Sequence, residues 1–224
     1  MRNAMSLELK KRIITSIFLI IGFFLMLINN YFLIMSLLLI FVFTFLEFSS
    51  MTNKIFFKKK FTQLIYNCLF ITYTFFFLII FYLLLLQQGT RIFVIFFLLL
   101  CISSDIGGLV IGKIFKGRKL TKISPNKTIS GSLGSFLFSL LTATSVVFYF
   151  DVLDWLKLMV IALFVSTGCQ LGDIYFSYLK RKAKIKDTGS ILPGHGGLLD
   201  RFDGILFGIP FGIIGATFSY FIFS

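Results

Sequence analysis

Long apolar segments alternate with short polar breaks along the whole chain. Seven segments are largely apolar, and most approach or exceed the roughly 18 residues that a helix needs to cross a bilayer. The breaks include Asn29-Asn30 and Gln87-Gln88-Gly89. The sequence therefore predicts an all-α, multi-pass membrane protein with about seven transmembrane helices. The predicted spans are 13–29, 31–48, 64–86, 91–115, 129–150, 155–178 and 204–223.

Composition agrees with membrane insertion and limits the kinds of site that the chain can contain. Hydrophobic residues make up 58% of the 224 residues, which is above the share typical of a soluble domain. Cys68, Cys101 and Cys169 all lie inside apolar segments, without the spacing of a metal site or a disulfide framework. No small-residue cleavage site follows the first apolar run, so we expect no removable signal peptide.

Positive charge is unevenly distributed among the loops, which predicts an orientation. The formal net charge is +13, and with a cytoplasmic N-terminus 20 of the 22 Lys and Arg residues fall on the inner side. Only Arg91 and Lys157 fall outside. Because basic residues collect in cytoplasmic loops, we expect a protein of the cytoplasmic (inner) membrane with an external C-terminus. The lipid surface accounts for the net charge, so we expect no nucleic-acid partner.

Glycine divides the chain into two regions. Only two of the 18 glycines lie within residues 1–106. Many of the others are four residues apart, which lets helix backbones approach closely in lipid; helix flexibility is the alternative interpretation. These glycines are Gly108/Gly112, Gly168/Gly172 and Gly204/Gly208/Gly212. We predict lipid-facing helices in 1–90 and a packed catalytic core in 91–224, within one integral membrane unit.

Asp105 and Asp173 lie inside predicted spans, where an ionised side chain is costly. Asp105 precedes Lys113 by eight residues and Asp173 precedes Lys180 by seven, so they lie about 12 and about 10 Å inside the cytoplasmic helix ends. Acids at matching depth on two helices can converge on one site, and each is a functional candidate by default. The alternative is a structural salt bridge or a protonated acid bonded to a backbone carbonyl.

Further acids lie just before the last predicted span. Asp200 follows Asp173 by 27 residues, and Asp203 comes next. Mg²⁺ takes oxygen ligands and typically uses one or two carboxylates with substrate phosphates. We therefore expect Asp173 and Asp200 to bind a hard cation, with Asp105 as a further candidate ligand. Ion pairing with nearby lysines is the alternative for Asp203 and Asp187.

The loop before this span contains a flexible turn, Pro193-Gly194-His195-Gly196-Gly197. Glycines bring backbone N–H groups close to an anion, so the turn is a candidate phosphate site. His195 is the only histidine of the chain. We expect it to contact phosphate or to order the loop, and proton transfer is the alternative.

A second candidate phosphate site precedes the fifth span, at Ser124-Pro125-Asn126-Lys127-Thr128. Free N–H groups at a helix N-terminus attract phosphate, and Lys127 and Thr128 can add donors. The alternative is an ordinary helix cap with proline at the start of the helix.

These elements resemble the phosphatidate cytidylyltransferase, or CDP-diacylglycerol synthase, family over about residues 105–215. The family signature reads S-x-x-K-R-x4-K-D-x-G-x3-P-x-H-G-G-x2-D-R-x-D. It is filled by Ser177, Lys180, Arg181, Lys186, Asp187, Gly189, Pro193, His195, Gly196, Gly197, Asp200, Arg201 and Asp203. Upstream, the family's S-P-x-K-T and G-D elements look like Ser124 to Thr128 and Gly172-Asp173.

The resemblance implies a nucleotidyltransferase that converts CTP and phosphatidate to CDP-diacylglycerol and pyrophosphate at the cytoplasmic membrane face. It implies Mg²⁺, with room for a second cation, and a homodimer. Catalytic roles would fall to Asp173, Asp200, Lys180, Arg181 and His195, with Asp173, Asp200 and Asp105 as metal ligands. Substrate-binding roles would fall to Ser124, Lys127, Thr128, Lys186, Asp187, Gly196, Gly197, Arg201 and Asp203.

Two alternatives remain at this point. The same chemistry could act on another lipid phosphate, since contacts to the lipid chains would be Leu, Ile and Phe in either case. A membrane transporter is the alternative from a different class, because intramembrane acids and small-residue helices suit transport too.

Overall fold

The structure is a computed structural model that describes residues 2–121, 124, 127–150, 154–194 and 196–223. These residues form seven α-helices and no strand. The helices are α1 (Arg2–Ile28), α2 (Asn30–Ile55), α3 (Lys60–Leu86), α4 (Gln88–Phe115), α5 (Ile129–Phe150), α6 (Trp155–Lys182) and α7 (Leu199–Phe223). The predicted all-α, multi-pass membrane fold is confirmed.

Each predicted span coincides with one helix, and most helices extend beyond the apolar segment. Helices α2 to α7 are long and apolar enough to cross a membrane. The apolar part of α1, Arg12–Ile28, is shorter, so a crossing by α1 stays a prediction. The break at Asn29 is confirmed, because its side-chain oxygen accepts hydrogen bonds from Tyr31 N at 2.9 Å and Phe32 N at 3.2 Å and so caps α2.

The chain divides into two compact units, which share the helices α6 and α7. The first unit is Met1–Thr90 with Leu179–Phe202, and the second is Arg91–Tyr178 with Asp203–Ser224. The predicted division into 1–90 and 91–224 stays a prediction. The segment Leu179–Phe202 groups with the N-terminal helices. The physical reason is a set of hydrogen bonds from this segment to α2, described below.

In the first unit, α2 and α3 pack through an aromatic and a polar contact. The rings of Phe48 and Phe70 stack with centroids 3.9 Å apart. Thr52 Oγ1 donates to Asn67 Oδ1 at 2.8 Å, and the Asn67 amide donates to Ser49 Oγ at 3.3 Å. Hydrogen bonds between helices satisfy polar groups that lipid would leave unpaired. These contacts therefore pack α2 against α3 within the first unit.

In the second unit, glycines allow helix backbones to lie close together. A Cβ atom on Gly108 of α4 would lie 2.6 Å from Ser135 Oγ of α5. A Cβ atom on Gly172 of α6 would collide with the carbonyl oxygen of Asp203 of α7. The small-residue spacing thus reflects close helix packing, as the sequence predicts.

Candidate active site

A cavity of about 300 Å³ opens between helices of the second unit. Acidic, basic, hydroxyl and amide side chains line it together with glycines and a few apolar residues. The lining residues are Asp105, Gly108, Leu109, Leu120, Lys127, Thr128, Gly131, Ser132, Ser135, Gln170, Asp173 and Ile174. Four of the residues that the sequence singles out, Asp105, Lys127, Thr128 and Asp173, therefore share one space.

A salt bridge between Lys127 and Asp173 lies in this cavity. Lys127 Nζ is 2.6 Å from Asp173 Oδ2, and the two side chains are 28% and 27% exposed. The backbone of Lys127 is held by a short antiparallel pairing, in which Leu120 N donates to Lys127 O at 2.7 Å. The pair is half-buried and its partners come from different elements, so it fixes the loop before α5 against α6.

Asp105 of α4 belongs to the same electrostatic cluster. It is repelled by the carboxylates of Asp173 and Asp203 and attracted by Lys127. Asp105 remains exposed to the cavity. The predicted convergence of Asp105 and Asp173 is present in the structure. The cluster carries more negative than positive charge, which favours a cation in the cavity.

Thr128 begins α5 as a helix cap. Its hydroxyl accepts a hydrogen bond from Gly131 N at 3.0 Å and lies 3.0 Å from Ser130 Oγ. Ser124 donates its N–H to Thr121 Oγ1 at 3.2 Å and accepts from Lys127 N at 3.1 Å. Thr128 therefore caps α5 and also lines the cavity. Phosphate binding by Ser124 and Thr128 stays a prediction.

Three polar residues of the cavity, Ser132, Ser135 and Gln170, were not predicted from the sequence. Ser132 Oγ donates to Gln170 Oε1, and Gln170 Nε2 lies 3.3 Å from Ser166 Oγ, which is 3.0 Å from Ser104 Oγ. These groups form a polar chain that runs from the cavity between α4, α5 and α6. Gln170 lies three residues before Asp173, on the same face of α6, and that spacing within an apolar span could have revealed it.

In the first unit, Asp200 is surrounded by hydrogen-bond donors. Asp200 Oδ1 accepts from Lys180 Nζ at 2.7 Å, and this pair is largely buried, with side chains 13% and 8% exposed. Asp200 Oδ2 accepts from Thr188 N at 2.8 Å, Thr188 Oγ1 at 3.0 Å and Gly197 N at 3.1 Å. A carboxylate offers about four lone-pair sites, so a cation at Asp200 would replace or share one of these contacts. Its metal role stays a prediction.

A buried glutamate that the sequence analysis did not consider lies beside this loop. Glu47 of α2 is 4% exposed. It accepts from Leu198 N at 2.9 Å and Leu199 N at 2.8 Å. Its Oε2 also lies 2.9 Å from Thr188 Oγ1, whose single proton Glu47 shares with Asp200. These bonds explain why Leu179–Phe202 groups with the N-terminal helices. An acid inside an apolar span is a functional candidate, and that rule applied to α2 would have found Glu47.

Four further predicted residues of the first unit lie at its surface. Arg181, Lys186, Asp187 and Arg201 are exposed. Gly196 has a positive φ of 85°, which a residue with a side chain rarely adopts. His195 lies outside the described residues.

The donor set of the cavity suits a hard cation. Asp105 and Asp173 offer carboxylate oxygens, and Ser132, Thr128 and Gln170 offer further oxygens nearby. Mg²⁺ prefers such ligands and commonly uses one or two carboxylates with substrate phosphates. Within the described residues, no group of three or more His, Cys, Asp or Glu side chains has the arrangement of a complete protein-only metal site. The residues therefore fit an ion that a bound phosphate helps to hold.

Comparison with known proteins identifies the family. A profile of the Cytidylyltransferase family matches residues 54–219. The chain belongs to this family. The match extends across α3 to α7 and therefore includes the cavity and the loop before α7.

Curated relatives match a shorter part of the chain. A phosphatidate cytidylyltransferase of Bacillus subtilis is 46% identical over 111 residues, which cover 49% of this chain and 41% of the relative. One of Staphylococcus haemolyticus is 43% identical over 110 residues, covering 48% and 42%. One of Rickettsia bellii is 42% identical over 118 residues, covering 48% and 50%. The matched stretch thus spans half or less of each of these relatives.

Proposed function

We propose that the chain is a phosphatidate cytidylyltransferase, which converts CTP and phosphatidate to CDP-diacylglycerol and pyrophosphate. The observation that carries this proposal is the cavity in which Lys127, Asp105 and Asp173 face one space, inside the region that the family profile matches. The name shared by the three relatives supports phosphatidate as the acceptor.

The chemistry needs little from a general base. The phosphate of phosphatidate is already ionised near neutral pH, so the main difficulty is to bring two polyanions together and to stabilise the leaving pyrophosphate. Positioned positive charge supplies this in phosphoryl transfers. Lys127, held by Asp173 at 2.6 Å, is such a charge. Its ammonium would exchange part of its contact with Asp173 for a substrate phosphate.

Mg²⁺ is the cofactor in this proposal. Asp173 and Asp105 would hold it in the cavity of the second unit, where it would neutralise phosphate charge. Asp200 as a ligand remains the prediction made from the sequence. A second cation stays a prediction as well. Metal ligation by carboxylates would reduce the repulsion between Asp105 and Asp173, which Lys127 offsets in part.

The loop between α6 and α7, residues 183–198, would supply further phosphate contacts in its own unit. Lys186 is exposed on this loop, and Arg181 and Arg201 are exposed on the flanking helix ends. Lys180 is engaged by Asp200 at 2.7 Å and would orient that carboxylate. We assign the exposed basic residues to nucleotide and lipid phosphates, and we assign His195 to phosphate contact or loop ordering.

The site lies on the cytoplasmic side in this proposal, because most basic residues fall there. Cysteine substitutions test it: in intact cells, an impermeant thiol reagent should label Asp154→Cys and spare Arg118→Cys until the membrane is permeabilised. The reverse order would overturn the orientation. The predicted homodimer is tested separately by the mass of the detergent-solubilised protein.

The activity is tested with purified protein, radiolabelled CTP, Mg²⁺ and a panel of lipids. We expect labelled CDP-lipid with phosphatidate and none with diacylglycerol, which lacks the phosphate. Preference for an isoprenoid ether lipid phosphate would redirect the proposal to that acceptor. Solute flux through proteoliposomes without CTP, with no CDP-lipid formed, would favour a transporter instead.

A further inference from the structure

A buried carboxylate outside the family signature holds the loop that carries much of that signature. We infer that Glu47 of α2 is a positioning residue, which fixes the α6–α7 loop and the start of α7 for catalysis. The inference rests on the proposed cytidylyl transfer for its catalytic part. The contact itself lies within the first unit and does not depend on the identity of the substrate.

Glu47 satisfies backbone groups that would otherwise be unpaired at the start of α7. Its Oε1 accepts from Leu198 N at 2.9 Å, and its Oε2 accepts from Leu199 N at 2.8 Å. The first N–H groups of a helix have no partner within the helix, and the positive end of the helix dipole attracts an anion there. The side chain comes from a position 152 residues before Leu199. Glu47 therefore caps α7 from a separate helix.

Two signature glycines are packed against this carboxylate. A Cβ atom on Gly189 would lie 2.5 Å from Glu47 Oε1, and its three nearest heavy atoms would all belong to Glu47. A Cβ atom on Gly197 would lie 2.5 Å from Glu47 Oε2 and would also collide with Thr188 Oγ1. These contacts are closer than real Cβ atoms adopt. The carboxylate of Glu47 thus explains the small size of Gly189, and the Thr188 hydroxyl together with that carboxylate explains the small size of Gly197.

Thr188 connects Glu47 to the acidic site of the loop. Its hydroxyl lies 2.9 Å from Glu47 Oε2 and 3.0 Å from Asp200 Oδ2. Asp200 in turn accepts from Lys180 at 2.7 Å. A shift of Glu47 would therefore reach Asp200 and Lys180 through one shared hydroxyl. This is the route by which a residue of α2 can act on signature side chains.

A purely structural helix cap is the competing interpretation. It predicts a loss of stability with unchanged catalytic constants in the protein that remains folded. A positioning role predicts a fall in kcat in the protein that remains folded, because the loop places the phosphate groups that react. Measurement of kcat and KM together therefore separates the two interpretations.

The first experiment compares Glu47→Gln with Thr44→Val. The introduced amide keeps the size of the side chain but replaces one acceptor with a donor, so at least one loop contact is lost. Thr44 is equally buried on α2, and its hydroxyl contacts carbonyls of its own helix, Ile40 O at 2.6 Å and Phe41 O at 3.1 Å. We expect the amides of Leu198 and Leu199 to exchange hydrogen about 10-fold faster in Glu47→Gln, and kcat to fall about 10-fold. Thr44→Val should change neither.

A double-mutant cycle provides a second test that does not depend on Glu47→Gln folding well. Gly189→Ala should lower kcat in the wild-type background, because the new methyl group displaces the Glu47 carboxylate. In the Glu47→Ala background, the same substitution should have little further effect, since the colliding atoms are gone. Equal effects in both backgrounds would overturn the contact between Gly189 and Glu47 as the cause.

The outcomes separate this inference from the proposed function. Unchanged amide exchange in Glu47→Gln would overturn the loop contact. Faster exchange with unchanged kcat would overturn the positioning role. A wild-type protein that transfers cytidylyl to no lipid phosphate would overturn the proposed function together with the positioning role, and faster exchange would then support the loop contact alone.

Discussion

Lys127 and Asp173 form a salt bridge of 2.6 Å although they are 46 residues apart in the chain. The bridge joins the loop before α5 to α6 and places an ammonium among the acids of the cavity. In the proposed reaction this ammonium neutralises phosphate charge.

Replacement of Lys127 should impair turnover much more than it impairs folding. Lys127→Met removes the cavity's positive charge and should lower kcat for CDP-lipid formation by about 10² to 10³, as expected for the loss of one electrostatic contact to a transition state. Lys157→Met is the matched control, because Lys157 also pairs with an aspartate, Asp154, at 3.0 Å, but that partner is 66% exposed. Exposed ion pairs contribute little to protein stability. Equal losses in the two variants would contradict the role of Lys127.

Replacement of Asp105 should raise the Mg²⁺ concentration that activity requires. Asp105→Asn removes one of the two carboxylates that face the cavity, so the Mg²⁺ concentration for half-maximal activity should rise several-fold. The measurement is a Mg²⁺ titration at saturating CTP and lipid, after the protein has been stripped with a chelator. The conservative replacement of exposed Asp154 by Asn should leave the titration unchanged. An unchanged titration in Asp105→Asn would remove Asp105 from the metal site.

Lys180 should contribute to stability as well as to the site. Lys180→Met leaves Asp200 buried without its ammonium partner, and breaking a buried pair from one side costs about 3 to 5 kcal/mol. We expect a lower thermal midpoint in detergent, followed by tryptophan fluorescence or loss of soluble protein. Lys58→Met, at an exposed position, is the control. A midpoint equal to that of the wild type would show that Asp200 finds another partner.

Close packing of α6 and α7 should make Gly172 intolerant of a methyl group. Gly172→Ala collides with the carbonyl oxygen of Asp203, which cannot move without the helix, and overpacking of this kind costs about 1 to 3 kcal/mol. Gly22→Ala is the matched control, since a Cβ atom there has no neighbour within 4 Å, and alanine favours the helix. The comparison uses thermal midpoints of both variants. An unchanged thermal midpoint in Gly172→Ala would contradict the close approach of α6 and α7 at this position.

The fold could be predicted well because long apolar segments indicate membrane-spanning helices and polar breaks indicate the loops between them. The break at Asn29 and the close packing at Gly108 and Gly172 followed from local spacing. The convergence of Asp105 and Asp173 followed from their equal depth in two helices. Such features depend on residues close together in the chain or on a common reference, the membrane surface.

The contacts of Glu47 could not be predicted in the same way. They join α2 to backbone N–H groups 151 and 152 residues later. Every residue except proline has a backbone N–H, so the residue types do not indicate which of these groups donates to Glu47. The two backbone donors to Asp200, the N–H groups of Thr188 and Gly197, could not be predicted for the same reason. Gly197, which the sequence predicts as a phosphate contact, is packed against the carboxylate of Glu47. Its phosphate role stays a prediction.

The most direct test of the account measures both products in the wild type and in Asp173→Asn. With CTP labelled at the α- and γ-phosphates, the wild-type protein in lipid nanodiscs should form CDP-diacylglycerol and pyrophosphate in equal amounts, only with phosphatidate and Mg²⁺. Asp173→Asn should insert normally and lose this activity by at least about 10²-fold. Near-normal turnover in Asp173→Asn would contradict the proposed role of the cavity, and pyrophosphate release without labelled lipid would contradict the proposed reaction.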